Sequence, residues 1–201
     1  MIQSTKVING RKFVANCVEY LSPQAEWLLE LFKQIEADRG QIIPGMKIQI
    51  GWTIYTVIDR NGVLEIAAPD YKTNPFSDVS EDLSVSLSVQ LAQNHIVNKL
   101  NIDGEAALFQ DKIIVAKGAF NLEKVYLERS KNYTNGDSGW YLGPIEKSNE
   151  HAELEAYYIY ELLTLRPSLL KALAIPRGYI VVFEKDEIEA VLDENDNSVW
   201  Q

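Results

Sequence analysis

Apolar residues recur three and four apart between Ser22 and Gly40, and that spacing predicts a helix. Ser22-Pro23 supplies its start, with the serine placed to cap and the proline at the first helical position. Trp27, Leu28, Leu31, Phe32 and Ile35 share the inward face, Glu30, Lys33 and Glu36 fall away from it, and Gly40 stands where the helix should end. Arg11 to Tyr20, ahead of it, is a short β-prone run. After Pro44-Gly45 the period changes to two. Ile48, Ile50, Trp52 and Ile54 alternate with Lys47, Gln49, Gly51 and Thr53, the pattern of a strand with one buried face. Asn61-Gly62 between two apolar runs is a hairpin signal, so Val63 to Ala67 is expected to return antiparallel. Pro69-Asp70-Tyr71 and Asn74-Pro75-Phe76 read as loop, with Asp70 and Tyr71 exposed beside the sheet as a candidate binding surface. Ser80-Glu81-Asp82 opens a second helix. Leu83 to Leu91 also alternates like a strand, but Val85, Val89, Ala92, Ile96 and Leu100 form a helical face, and the segment is long for a strand.

Asp103-Gly104 is the expected boundary between an N-terminal lobe, 1–104, and a C-terminal lobe, 105–201. Beyond it Ile113 to Ala116 and Val125 to Glu128 are short β-prone runs. The turn-rich stretch Asn132 to Pro144 then feeds a strand at Trp140-Tyr141-Leu142. Leu154, Tyr157, Tyr158, Leu162 and Leu165 predict a helix that Pro167 stops, and Ser168 is placed to cap a shorter one through Ala174. Tyr179 to Phe183 reads as a buried strand, turned by Lys185-Asp186 into Ile188 to Leu192. Trp200 is expected to dock from an otherwise polar tail. The fold class is therefore α+β: mainly antiparallel sheet with packed helices, as one core or as two lobes.

Composition narrows the function classes. The 201 residues are 46% hydrophobic and 24% charged, an ordinary balance for a folded chain. No apolar run is long enough to span a bilayer, and the opening residues lack the apolar core of a signal peptide, which points to the cytoplasm. The single cysteine, Cys17, cannot form an internal disulfide and reads as a buried thiol. With only two histidines no metal cluster is apparent, and no glycine-rich phosphate loop occurs, so no cofactor is expected. A net charge of −10 disfavours nucleic acid and anionic membrane as partners, and steers in a basic protein instead.

Gly136-Asp137-Ser138-Gly139 has the letters that surround a nucleophilic serine in chymotrypsin-like proteases. That chemistry needs a histidine base. His151 follows the serine in the wrong order, and His95 lies on a segment that reads as helical. Ser138 and Asp137 are therefore expected to bond nearby backbone amides in a turn, with Trp140 as a core anchor. An acid pair, Asp70 with Asp137, is the other enzymatic arrangement the sequence offers.

Ile113-Ile-Val-Ala116, Val125-Tyr126 with Arg129, Asp137-Ser138-Gly139-Trp140, the tyrosine-rich segment ending at Pro167, and Pro176-x-Gly178 follow one another along the chain. In that combination, from about Lys112 to Leu192, the chain resembles a family of small bacterial α+β domains assigned as immunity proteins of polymorphic toxin systems. It departs from the family pattern at Tyr141-Leu142-Gly143-Pro144 and at Arg166. The resemblance implies a non-catalytic protein that neutralises a cognate toxin by stoichiometric binding. Asp137, Ser138, Tyr141, Glu146, Glu150, Glu153 and Glu155, with Asp70 and Tyr71 from the first lobe, are the candidate contacts for a basic toxin surface. A ligand-binding regulatory or adaptor domain, and a hydrolase using Ser138, are the alternative readings.

Overall fold

The computed structural model describes residues 1–132, 134, 136–145 and 153–200. The chain divides into two compact units, Met1–Leu91 and Ala92–Gln201. No helix among the described residues is long and apolar enough to cross a membrane.

The first unit opens with a hairpin absent from the sequence expectations, β1 (Ile2–Ile8) and β2 (Arg11–Cys17), turned through Asn9-Gly10 at positive φ. Helix α1 (Ser22–Arg39) follows, then β3 (Lys47–Ile50), β4 (Thr53–Arg60), β5 (Val63–Pro69) and the short β6 (Val79–Ser80). The sheet order is β1-β2-β5-β4-β3, with β6 on β5; β2 and β5 run parallel and the other neighbours antiparallel. The β4–β5 turn falls at Asn61-Gly62, both in the left-handed region, as the sequence predicts. Phe13, Leu28, Phe32 and Tyr55 lie in one core, with Phe32 tilted against Phe13 and edge-on to Tyr55, each at 6.4 Å. Cys17 is buried there, and burial together with Asp82 pushes its thiol pKa up.

Three details depart from the sequence reading. The strand expected across Ile48 to Ile54 is broken by a tight turn at Gly51-Trp52. Gly51 sits at φ 58, which favours glycine, and a Cβ there would also push aside the end of the Gln90 side chain, whose Oε1 would lie 1.7 Å away. Leu21, and not Ser22, occupies the capping position of α1. The third detail is the inward face of α1: Trp27 is 43% exposed, while Glu36 is buried. Glu36 accepts from Arg11 at 2.5 Å, from Asn9 at 2.9 Å and from the Ile42 amide at 3.2 Å. Helical spacing marks a face but not which polar side chain on its border finds a partner. Here an arginine from the unforeseen hairpin reaches it.

Burial works to raise the Glu36 pKa, but the bonds from Arg11, Ile42 and Asn9, with the Arg11 charge, outweigh it and hold the carboxyl below the usual range. A carboxyl depressed on folding stabilises fully above its unfolded pKa of about 4.3 and loses that contribution as pH falls through the folded value. Glu36→Gln is expected to cost about 2 kcal/mol at neutral pH. The gap to the wild type should stay level down to about pH 5 and then narrow. Urea unfolding at stepped pH checks this.

Helix α2 (Ser84–Leu100) starts where Asp82 accepts from the Ser84 amide at 3.0 Å, and it resolves the strand-or-helix ambiguity in favour of helix. The division between the units falls within it. The second unit holds β7 (Lys112–Ala116), β8 (Lys124–Arg129), β9 (Asp137–Pro144), β10 (Leu154–Tyr158), the short α3 (Leu162–Leu165), β11 (Ile180–Glu184) and β12 (Glu187–Leu192). Its sheet runs β10-β7-β9-β8-β11-β12, parallel at β7–β9 and antiparallel elsewhere. The tail docks as expected, with Lys99 Nζ 3.6 Å above the Trp200 ring.

The helix predicted from Leu154 to Leu165 is a correction. Leu154 to Tyr158 pair with β7 as an edge strand, Ile159 to Glu161 make a 3-10 turn, and only Leu162 to Leu165 are α-helical. Leu154, Tyr157, Tyr158 and Leu162 satisfy helical spacing by coincidence, while the aromatic run Tyr157-Tyr158 suits a pleated surface. The segment after Pro167 is likewise 3-10 through Ala172, and Ser168 donates to Asp186 at 2.7 Å instead of capping.

Candidate interaction surface

Arg129 ends β8 with its guanidinium 1% exposed in the second unit. Its Nε donates to Ser138 O at 3.1 Å, and Nη1 donates to Glu105 O at 2.6 Å and Ile175 O at 2.9 Å. The guanidinium carbon lies 5.5 Å from the Trp140 ring centroid, and a Glu105 carboxylate oxygen stands 3.6 Å from Nη2. Its backbone joins in: Gly178 N–H donates to Arg129 O at 2.9 Å and Arg129 N–H to Tyr179 O at 3.2 Å. A buried cation is tolerated only when its donors are met, and three carbonyls from three segments take three of its five N–H groups here.

The stretch entering β9 is built around the same point. Asp137 Oδ1 accepts the Gly139 amide at 2.8 Å in a local side-chain turn. Ser138 Oγ donates to Lys112 O at 2.7 Å and accepts the Trp140 amide at 3.1 Å, tying β9 to β7. Trp140 Nε1 donates to Leu173 O at 3.3 Å and anchors the 3-10 segment on the sheet. Asp137, Ser138 and Trp140 thus take the structural roles expected of them. The Ser138 proton goes to a backbone carbonyl, and His95 is exposed on α2 and not core-facing. Ser138→Ala is expected to destabilise the unit by about 2 kcal/mol through two lost bonds, one leaving the buried Trp140 amide unmet. Partner affinity of the folded fraction should stay unchanged, as thermal unfolding beside a binding titration would show.

Alternation across the sheet fixes what the opposite face carries. Val125, Leu127, Trp140, Leu142, Val181 and Phe183 are buried, so their neighbours along each strand face the other way. Tyr141 lies opposite Glu128 on β8 and Ile114 on β7, and Tyr126 lies opposite Gly143 on β9 and Val182 on β11. Apart from exposed Glu128 and closely packed Gly143, these positions are half-buried. Gly143 has ordinary extended backbone, and its missing side chain is explained by the Tyr141 ring, which passes where a Cβ would be: Cε1 would stand 2.6 Å away. The ring lies along the strand and meets Tyr126 at 5.7 Å, tilted by 59°. Burial, with Tyr141 and Glu128 beside it, pushes the Tyr126 phenol pKa up, so that ring stays neutral. The result is a flat aromatic and aliphatic platform with one carboxylate in it.

The other residues singled out by sequence are scattered. Glu153 stands exposed ahead of β10 and pairs with Lys117 at 2.7 Å, a surface pair of little energetic weight. Glu155, on β10, accepts from the Tyr157 hydroxyl at 2.8 Å. Glu146 and Glu150 lie outside the described residues. Asp70 and Tyr71 belong to the first unit. Asp70 accepts the Lys72 amide at 3.0 Å in a turn, and Tyr71, expected to be exposed, stacks on Trp52 at 5.0 Å while its hydroxyl meets Thr53 at 2.8 Å. Tyr126, Gly143 and Val182 were not among the contacts expected from sequence, although β11 is apolar on both faces, a signal that neither side is left to water alone. Among the described residues no group of three or more His, Cys, Asp or Glu is placed to hold a metal ion.

An α+β unit locked by a buried arginine, with one sheet face packed and the other displaying an aromatic platform, is the class this geometry defines. The family model for the Imm33-like domain matches residues 92–194, beginning where the second unit begins, and the chain belongs to that family of immunity proteins. No curated protein and no solved structure matches it.

Proposed function

We propose that the protein neutralises a cognate toxin by stoichiometric binding, and that the Tyr126–Tyr141 platform is the contact surface. The observation that carries this reading is the platform itself, an aromatic patch on the family's own unit. Tyrosines offer large contact area at low entropic cost, and hot spots cluster on such rings. Glu128 within the patch and the net charge of −10 favour a toxin with a basic surface, and the same charge opposes nucleic acid and anionic membrane as partners. The site of action is the cytoplasm. No chemistry is required of the protein itself, since occupying the toxin's active site or a surface it needs is enough.

The test is co-expression with the toxic module encoded beside this gene. Cells should survive only when this chain is present, and the two proteins should co-purify in equal amounts through a salt wash. Failure both to protect and to co-purify, with the protein folded and abundant, overturns the proposal.

A further inference from the structure

β3 is one edge of the first unit's sheet, and although it is short and carries Lys47, its outer side pairs with no other strand among the described residues. A cavity of about 560 Å³ runs beside it. Five consecutive residues, Met46 to Ile50, line that cavity, although Ile48 and Ile50 face the core and Lys47 and Gln49 do not. A hollow that touches residues of both faces lies along the backbone edge, where the next strand of the sheet would run. The hydrogen-bonding register agrees. Val57 N–H donates to Met46 O at 3.1 Å, which makes Met46, Ile48 and Ile50 the residues bonded to β4. The N–H and C=O groups of Lys47 and Gln49 therefore point away from β4 and toward the cavity.

The other wall is apolar and charged in a defined way. Leu31 and Ile35 of α1 and the buried Ile42 supply hydrophobic surface, and Ile43 and Met46 stand exposed nearby. Arg39 and Lys47 supply two cations with no ion pair among the described residues. The neighbouring Arg11 is taken up by Glu36. Two unpaired cations at an apolar groove stand out on a chain of net charge −10.

We propose that this groove binds an extended peptide of a partner protein by strand addition to β3, with aliphatic side chains under α1 and acidic ones at Arg39 and Lys47. Main-chain bonds to Lys47 and Gln49 supply register, and the carboxylates supply selectivity. A second copy of this chain is disfavoured as the occupant, because edge-to-edge pairing of two β3 strands about a twofold axis would bring Lys47 of each copy toward the other. This site is separate from the platform of the C-terminal unit and does not rest on the toxin reading.

The probe is a capped hexapeptide alternating valine and glutamate, titrated into the full ¹⁵N-labelled chain. The amides of Lys47 and Gln49 should shift downfield and gain protection from exchange, saturably. The same peptide with lysine in place of glutamate, and the valine–glutamate peptide with a central proline, should each bind at least about tenfold more weakly. Arg39→Glu with Lys47→Glu, both exposed and therefore tolerated by the fold, should reverse the preference between the two peptides. Absence of any shift at Lys47 and Gln49, equal binding of the lysine peptide, or a concentration-dependent dimer that protects those amides without peptide would each overturn the proposal.

Discussion

Arg129→Met is expected to destabilise the C-terminal unit by about 4 kcal/mol, enough to leave much of it unfolded at 37 °C. The methionine would fill the stem's space but leave the carbonyls of Ser138, Glu105 and Ile175 without their donor. Each buried polar group so orphaned costs about 1–3 kcal/mol, and Glu105 would lose one of its two cations, keeping Arg177 at 2.9 Å. Arg129→Lys should fall between, since an ammonium keeps the charge but cannot reach three carbonyls in a fixed fork. Urea unfolding followed through the NMR signals of the second unit is the measurement. A loss below about 1 kcal/mol for the methionine variant would show that the guanidinium network does not hold the unit together.

The second large effect concerns binding. Tyr141→Ala should weaken toxin affinity by about 30-fold or more, the scale of a central aromatic contact. Gly143→Ala should approach that loss without removing any atom. Its Cβ would stand 2.6 Å from Tyr141 Cε1 and 2.8 Å from the hydroxyl, so the ring must swing off the strand. Because the far end of a flexible side chain moves, and no backbone, the fold should lose less than about 1 kcal/mol. The double variant should be little worse than either single, since both remove the same ring from the same place. Titration calorimetry with the purified toxin decides the matter: unchanged affinity for both single variants removes the platform from the interface.

Local chemistry that a few residues settle among themselves was legible in the sequence. Asn61-Gly62 requires its hairpin, Gly40 ends α1, and Asp137 with Ser138 bonds the backbone of its own turn. Features decided by a distant partner were not. Glu36 is buried because Arg11 comes to it from a hairpin whose Asn9-Gly10 turn lies far from Glu36 along the chain, and Leu154 to Tyr158 are extended because β7 offers an edge. The resemblance to an immunity-protein family was carried by residues that turn out to be architectural, with Arg129, Ser138 and Trp140 all spent on backbone carbonyls and amides. The platform was invisible for a different reason. Tyr126 and Tyr141 meet because β9 pairs with β8 in the register that sets Tyr126 beside Gly143, a strand order and register that no local pattern encodes.

That strand order also sets when the protein becomes useful. Val125 waits for Phe183 as its neighbour, and the acceptors for Arg129 and Trp140 lie at Ile175 and Leu173. Pairings of such long sequence separation form late and slowly. During synthesis the platform strands leave the ribosome well before the residues that hold them in place, so a growing chain offers no finished surface until β11 has emerged. On the proposed toxin-neutralising role, a cell would therefore need a standing stock, made ahead of the challenge and kept folded, because a chain begun on the toxin's arrival would mature only after its last strands were made.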